Sequence, residues 1–326
     1  MGEFDLIARY FKRPVRRAAL GVGDDCALLQ PSSGCQLAVS SDMLVQGRHF
    51  LAGTDPYRLG HKALAVNLSD LAACGAQALA FTLALALPAA EPAWLEPFSR
   101  GLLALADEHG CELVGGDTTC GPLNICITVF GEDPVVAGIS QALLRSGARV
   151  GDDLYVSGTL GDARLALEAL RGRWRLPPQL FDGARRRLEQ PTPRLALGRH
   201  LRGLASSAID ISDGLLGDLG HILQASGVGA RINTALVHGL MGCQGLALDA
   251  VVPAQHRLDC ILAGGDDYEL AFTAPAHRRA AVLAAAAAAA TPVTRIGQIE
   301  AEAGLRVVDQ RGAAVAGHWD SFDHFA

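Results

Sequence analysis

Aromatic side chains are scarce in this chain of 326 residues, at 5% of the total. A core built from it must be filled mostly by Ala, Leu, Val and Ile. The eight cysteines, at 26, 35, 74, 111, 120, 126, 243 and 260, form no C-x-x-C pair and have no histidine at ligand spacing. That excludes the common zinc patterns and leaves reduced, buried thiols as the expectation. No basic segment followed by an apolar stretch opens the chain, and Leu6 stands where a myristoylation signal after Gly2 needs Ser or Thr. The apolar stretch Ala78–Leu87 is half the length of about 20 residues that spans a bilayer. The expectation is a cytoplasmic protein with no membrane partner. A formal net charge of −6 removes the basic surface that nucleic-acid binding requires, so no nucleic-acid partner is expected.

Several nucleotide and catalytic signatures are missing too. There is no G-x-x-x-x-G-K-[ST], no G-x-G-x-x-G after a strand, no protein-kinase motif set and no G-x-S-x-G elbow. If a nucleoside triphosphate binds here, metal ions rather than a P-loop must hold its phosphates.

What is abundant is glycine, 37 residues, and a recurring pattern that joins it or serine to aspartate. The pattern occurs in Gly23-Asp24-Asp25, Ser40-Ser41-Asp42, Leu68-Ser69-Asp70, Gly115-Gly116-Asp117, Asp210-Ile211-Ser212-Asp213-Gly214 and Gly264-Gly265-Asp266-Asp267. Each cluster alone is explicable as turn or helix-cap chemistry. Together they offer hard carboxylate oxygens of the kind Mg²⁺ takes. Asp70 lies within Ala63-Leu-Ala-Val-Asn-Leu-Ser-Asp-Leu-Ala-Ala, where an uncompensated charge is costly. Asp210 ends the apolar run from Ala205 and poses the same problem.

Periodicity predicts helices over 3–11, 56–74, 91–109, 161–170, 194–204, 215–225 and from His277 through the alanine run 284–290. Strands are expected over 36–45, 80–87, 124–131, 154–157, 207–211 and 270–273. The Pro177-Pro178 and Pro191–Pro193 segments read as loops. The run from Gly147 to Gly158 marks a fresh start, so two α+β domains in tandem are expected, 1–140 and 141–326.

The ordered motif set resembles the thiamine-monophosphate kinase family across essentially the whole chain. The motifs are Gly21-Val-Gly-Asp-Asp-Cys-Ala, Ser40-Ser-Asp-Met-Leu-Val-Gln-Gly-Arg-His-Phe, Asn67-Leu-Ser-Asp-Leu-Ala-Ala-Cys-Gly-Ala, Gly115-Gly-Asp-Thr-Thr, Gly151-Asp-Asp-Leu-Tyr-Val-Ser-Gly, Ile211-Ser-Asp-Gly-Leu, Gly264-Gly-Asp-Asp-Tyr-Glu-Leu and the tail Trp319-Asp-Ser-Phe-Asp-His-Phe. The wider superfamily, which includes aminoimidazole ribonucleotide synthetase, selenophosphate synthetase and a hydrogenase-maturation protein, implies the architecture. Its N-terminal domain carries a mixed sheet with helices and pairs across a homodimer, and a larger C-terminal α+β domain completes the nucleotide and substrate site. The resemblance implies a kinase that phosphorylates thiamine monophosphate to thiamine diphosphate by direct in-line transfer from ATP, assisted by several Mg²⁺ ions.

Carried over motif by motif, Asp25, Ser40, Ser41, Asp42, Asp70, Asp117, Asp210 and Asp213 would bind Mg²⁺. Gly116, Asp117, Arg145 and Ser212 would contact ATP, and His49, Asp266, Phe322 and Trp319 the thiamine phosphate. The family usually has Glu at the position of Asp266 and often Thr at that of Ser41. Read from the residues alone, His49 and Arg145 are also ordinary loop side chains, and Trp319, Phe322 and Phe325 also suit a terminal segment docked on the core. The acceptor is a phosphate monoester with a second pKa near about 6, so it needs no general base at neutral pH. The competing readings are another ATP-using synthetase of the superfamily and a nucleotide-binding protein without catalysis.

Overall fold

The structure, a computed structural model, describes residues 2–317 and 319, with the side chain of residue 246 excepted. Its contacts divide the chain into two units, Met1–Leu71 with Ala76–Gln141, and Ala72–Gly75 with Ala142–Ala326.

The first unit runs α1 (Glu3–Tyr10), β1 (Cys35–Val45), α2 (Pro56–Cys74), β2 (Gln77–Leu87), α3 (Pro92–His109), β3 (Glu112–Cys120), β4 (Asn124–Val136) and β5 (Ile139–Ser140). The sheet order is β1-β4-β2-β3, with β5 paired to β4. The β1–β4 and β2–β4 pairs are antiparallel, and β2–β3 is parallel. Pro92 and Gly110 bracket α3 at its first position and its left-handed cap, as proline and glycine favour. Helices α2 and α3 cross backbone to backbone. A Cβ on Gly60 would lie 2.1 Å from the Phe98 carbonyl oxygen, and one on Gly101 would lie 1.9 Å from that of Tyr57. Only glycine permits this approach. It lets α2 bury nearly its whole circumference, including Leu59, Leu64, Leu68 and Leu71.

The second unit runs β6 (Asp152–Ser157), α4 (Asp162–Leu170), α5 (Pro178–Glu189), α6 (Leu195–Leu201), β7 (Ser207–Ile211), α7 (Leu215–Ser226), β8 (Gly229–Asn233), α8 (Thr234–Val237), α9 (Leu246–Asp249), α10 (Ala254–Ala263), β9 (Glu269–Pro275), α11 (Arg279–Ala288), β10 (Val293–Glu300) and β11 (Gly304–Val308). Its sheet order is β11-β8-β10-β6-β9-β7. All its pairs are antiparallel except β8–β11. Strands β6 and β7 are buried at every residue, and their aliphatic side chains join those of α4, α7 and α10 in one core. The fold is therefore mixed α+β in two tandem parts.

The expected elements recur with shifted ends, and the structure adds others, among them β5, α8, α9 and α10. Pro178 opens helix α5 at its first position, where a missing N–H costs nothing, so the proline pair starts a helix as well as ending a loop. Gly115-Gly116-Asp117 runs inside β3, which none of the expected strands covers. The edge of the second sheet, β8, β10 and β11, was not apparent as strands because its residues lack a sustained apolar alternation.

Candidate functional site

Within β1, successive side chains point to opposite faces. Ser40 Oγ donates to Asp70 Oδ2 on α2 at 2.5 Å. The Asp42 backbone N–H donates to Asn67 Oδ1 at 3.0 Å, and Asn67 Nδ2 in turn donates to the Ala63 carbonyl at 3.0 Å. Ser40, Asp42 and Asp70 are thus gathered where the middle of β1 meets α2. The Ser41 hydroxyl lies on the other face, 2.9 Å from Thr128 Oγ1 and 3.2 Å from the Ile127 carbonyl oxygen it donates to. The structure does not bring it to the Ser40–Asp70 pair.

Asp117 is exposed on β3, its Oδ1 accepting the Thr118 amide at 2.9 Å. Beside it, Gly116 has φ of 145°, and a Cβ there would fall 1.9 Å from the Leu83 carbonyl oxygen. This leaves bare backbone next to the carboxylate. Asp25 is also exposed, in a loop whose approach is fixed by Glu112. The Glu112 carboxylate accepts the amides of Arg16 at 2.6 Å and of Arg17 and Ala18 at 3.1 Å. Burial pushes the Glu112 carboxyl up, but these amides and the Arg17 charge hold it below its ordinary value.

His49 closes the turn after β1. Its Nδ1 accepts the Val45 amide at 3.0 Å, which places the proton of the neutral ring on Nε2. The buried Lys62 ammonium reaches the His49 carbonyl oxygen at 3.5 Å.

In the second unit, buried Asp210 sits one residue before the end of β7. The chain then turns through Ser212, Asp213 and Gly214 into α7. Asp218, in the first turn of α7, draws the three amides of that turn onto Oδ2 at 3.0, 3.1 and 3.1 Å. Burial raises the Asp218 carboxyl to about 7 against the pull of these amides, with the Asp213 charge adding to the rise.

The Asp266 segment is laced to the same turn. The Asp266 amide donates to the Ser212 carbonyl and the Tyr268 amide to that of Ile211, both at 2.8 Å. Asp210, Ser212, Asp213 and Asp266 are thereby one local group. Arg145 is exposed, and its carbonyl accepts from Ser226 Oγ at 3.3 Å.

Trp319 lines a cleft of about 650 Å³ with Leu216, Leu305, Val307 and Val315, and its indole N–H donates to Asp259 Oδ1 at 2.9 Å. Phe322 lies outside the described residues.

Two further groups carry no expectation from the sequence. The fully buried Glu269 on β9 is held by Arg187 and Arg194 at 2.8 and 2.6 Å. Arg187 falls in an Arg-rich helix that reads as surface, and Arg194 follows the Pro191–Pro193 loop, so nothing local marks either one. Glu168, His256 and Cys260 form the one triad of metal-ligating types close enough to share an ion among the described residues. Glu168 there already accepts from His256, Trp174 and Arg164 at 2.5, 2.9 and 2.9 Å. Two neighbouring guanidiniums, of Arg164 and Arg173, fit an anion's partner better than a cation site.

The aspartate groups do suit Mg²⁺. Their donors are carboxylate and hydroxyl oxygens, and Asp70 is already aligned by Ser40.

Two family profiles match in tandem, "AIR synthase related protein, N-terminal domain" over residues 23–132 and "AIR synthase related protein, C-terminal domain" over 149–310. The two matches together cover most of the chain and define an AIR synthase related protein. Among curated relatives, the thiamine-monophosphate kinase of Escherichia coli K12 is 46% identical over all of this chain and 98% of its own length. The solved thiamine-monophosphate kinase of Stenotrophomonas maltophilia K279a is 44% identical, with a TM-score of 0.82 and 96% of each chain covered. A structure described as AaThiL complexed with AMPPCP and TMP is 30% identical, with a TM-score of 0.75 over 91% of this chain and 89% of that one. The chain belongs to the thiamine-monophosphate kinase family.

Proposed function

We propose that the chain transfers the γ-phosphoryl group of ATP to thiamine monophosphate, giving thiamine diphosphate and ADP, the last step in making that diphosphate. The observation that carries this reading is full-length identity of 46% to a thiamine-monophosphate kinase. The relative described with AMPPCP and TMP points the same way, because AMPPCP is an ATP analogue. These likenesses favour the kinase over another synthetase of the superfamily and over a binding protein without catalysis.

In this proposal Asp25, Ser40, Ser41, Asp42, Asp70, Asp117, Asp210 and Asp213 hold Mg²⁺. Bound Mg²⁺ offsets the repulsion between two polyanions and steadies the charge that builds up during in-line transfer. Gly116 supplies open backbone, and Ser212 a hydroxyl, to the nucleotide. The exposed Arg145 guanidinium offers fixed positive charge to its phosphates. His49 presents Nε2–H, a donor, toward the acceptor phosphate. Asp266 engages the cationic end of the thiamine, and Trp319 gives an aromatic face worth about 0.5–2 kcal/mol to a thiazolium; Phe322 is carried over with it. No side chain is needed as a base, because the acceptor phosphate is already largely ionised.

The active form is proposed to be a homodimer. Edge strand β1 supports this, with Val39 57% and Met43 51% exposed beside Leu37. A cytoplasmic location is proposed from the free state of all eight cysteines. No helix among the described residues is long and apolar enough to cross a membrane.

The test is incubation with ATP, Mg²⁺ and thiamine monophosphate, with chromatography for thiamine diphosphate. Absence of product alongside turnover of a phosphorylated purine precursor would overturn the proposal.

A further inference from the structure

Asp266 and Tyr268 both adopt left-handed backbone, with φ of 68° and 51°. Side chains other than glycine stay in that region only where their surroundings over-determine it, and such residues gather at functional sites. The surroundings here are unusually specific. The Asp266 amide is held by the Ser212 carbonyl and the Tyr268 amide by that of Ile211. Between them, the Asp267 carbonyl accepts from Arg187 Nη2 at 3.0 Å, and Asp267 Oδ2 accepts the Gly161 amide at 2.7 Å. All three residues of the segment are therefore pinned by groups distant in sequence.

Arg187 does not act alone. The same Nη2 donates to Glu269 Oε1 at 2.8 Å, and Arg194 grips the same carboxylate with Nε and Nη2, both at 2.6 Å. Ser157 Oγ donates to Glu269 Oε2 at 2.5 Å and accepts the Leu270 amide at 2.8 Å, which locks the carboxylate to the start of β9. Room for this carboxylate depends on Gly158, where a Cβ would stand 2.0 Å from Glu269 Oε1. One nitrogen thus serves a carboxylate and a carbonyl together, its two hydrogens fixed in direction by the guanidinium plane, whereas the hydrogens of an ammonium rotate freely. Two atoms beside the clamp, Asp267 Oδ1 and Arg187 Nε, are buried without a partner. A fully buried carboxylic group left half-satisfied is a standing cost, and it is retained where position matters more than stability.

We propose that Arg187 and Arg194, clamped on Glu269, are positioning residues for Asp266. They fix the backbone of 266–268 and so set how well the site takes its phosphorylated acceptor, while touching neither substrate. The inference rests on the reading of Asp266 as an acceptor contact.

The test measures steady-state kinetics of the full chain with ATP, Mg²⁺ and thiamine monophosphate for Arg187→Lys and Asp266→Asn. Arg187→Lys is expected to raise KM for thiamine monophosphate at least fivefold and leave KM for ATP within twofold. The Asp266→Asn, Arg187→Lys double variant should be no worse than the poorer single variant, because one residue acts through the other. If Asp266→Asn leaves KM unchanged, the acceptor reading falls. If Asp266→Asn raises it and folded Arg187→Lys does not, or if KM for ATP rises equally, the clamp proposal falls by itself. Should Arg187→Lys not fold, hydrogen exchange on the unaltered protein decides. The Asp266 and Tyr268 amides should be among the slowest outside the strands, and rapid exchange there overturns the clamp.

Discussion

Ser40 on β1 donates a 2.5 Å hydrogen bond to Asp70 on α2, joining a strand and a helix through a hydroxyl–carboxylate contact. An Asn at 70 keeps an oxygen for that bond and loses the charge. Asp70→Asn is therefore expected to lower kcat at least about 100-fold, through weaker charge compensation of the phosphates. Its melting temperature should stay close to the parent's. A coupled assay for ADP and a thermal melt check both halves.

Asp42→Asn should behave alike for a different reason. Residue 42 is tied to α2 by its backbone N–H on Asn67, which the substitution leaves in place. Turnover should be lost with the circular dichroism spectrum unchanged. Activity near the parent level would remove Asp42 from the metal-binding set.

Gly116→Ala should destabilise the protein by about 2–4 kcal/mol, since it adds a methyl against the Leu83 carbonyl at a left-handed φ. Chemical denaturation measures this. An alanine tolerated within a few tenths of a kcal/mol would mean that the β2–β3 contact is looser than described.

Glu112→Ala should free the amides of Arg16, Arg17 and Ala18, which one carboxylate holds. Faster hydrogen exchange confined to that segment is expected. Because the segment leads to Asp25, a modest rise in the Mg²⁺ concentration needed for half-maximal rate should accompany it.

Acid stability should report on Glu168. Burial pushes this carboxyl up, but hydrogen bonds from His256, Trp174 and Arg164 bring it from 4.5 to about 2. A depressed carboxylate stabilises the fold above its unfolded value and loses that contribution as pH falls through the folded one. The parent should thus be more stable than Glu168→Gln at pH 6, with the difference shrinking between about pH 4.5 and 2. A difference that does not vary with pH would show that the contacts of Glu168 are not ionic.

Legibility in the sequence followed chemistry and locality. Helices α2 and α3 were apparent because Pro56, Gly75, Pro92 and Gly110 punctuate strong apolar periodicity. Asp70 stood out as a charge in an apolar run, and its partner Ser40 lay in another motif of the same pattern. Glu269 was visible only as part of Asp266-Asp267-Tyr268-Glu269; its two arginines lie 75 and 82 positions away, and no spacing rule spans such distances. The facing of Ser41 was set by strand alternation against β4, which depends on a register between residues 85 to 87 apart. Strands β8, β10 and β11 owe their form to neighbours in the sheet more than to their own composition.

The capture of three amides by Asp218 has an electrical consequence for the turn that carries Ser212 and Asp213. The start of a helix ordinarily greets an anion with N–H groups. Here the amides of Ser212, Asp213 and Gly214, just ahead of the helix, converge on the Asp218 carboxylate and are spent within the turn. An anion arriving at this turn finds those three donors already taken.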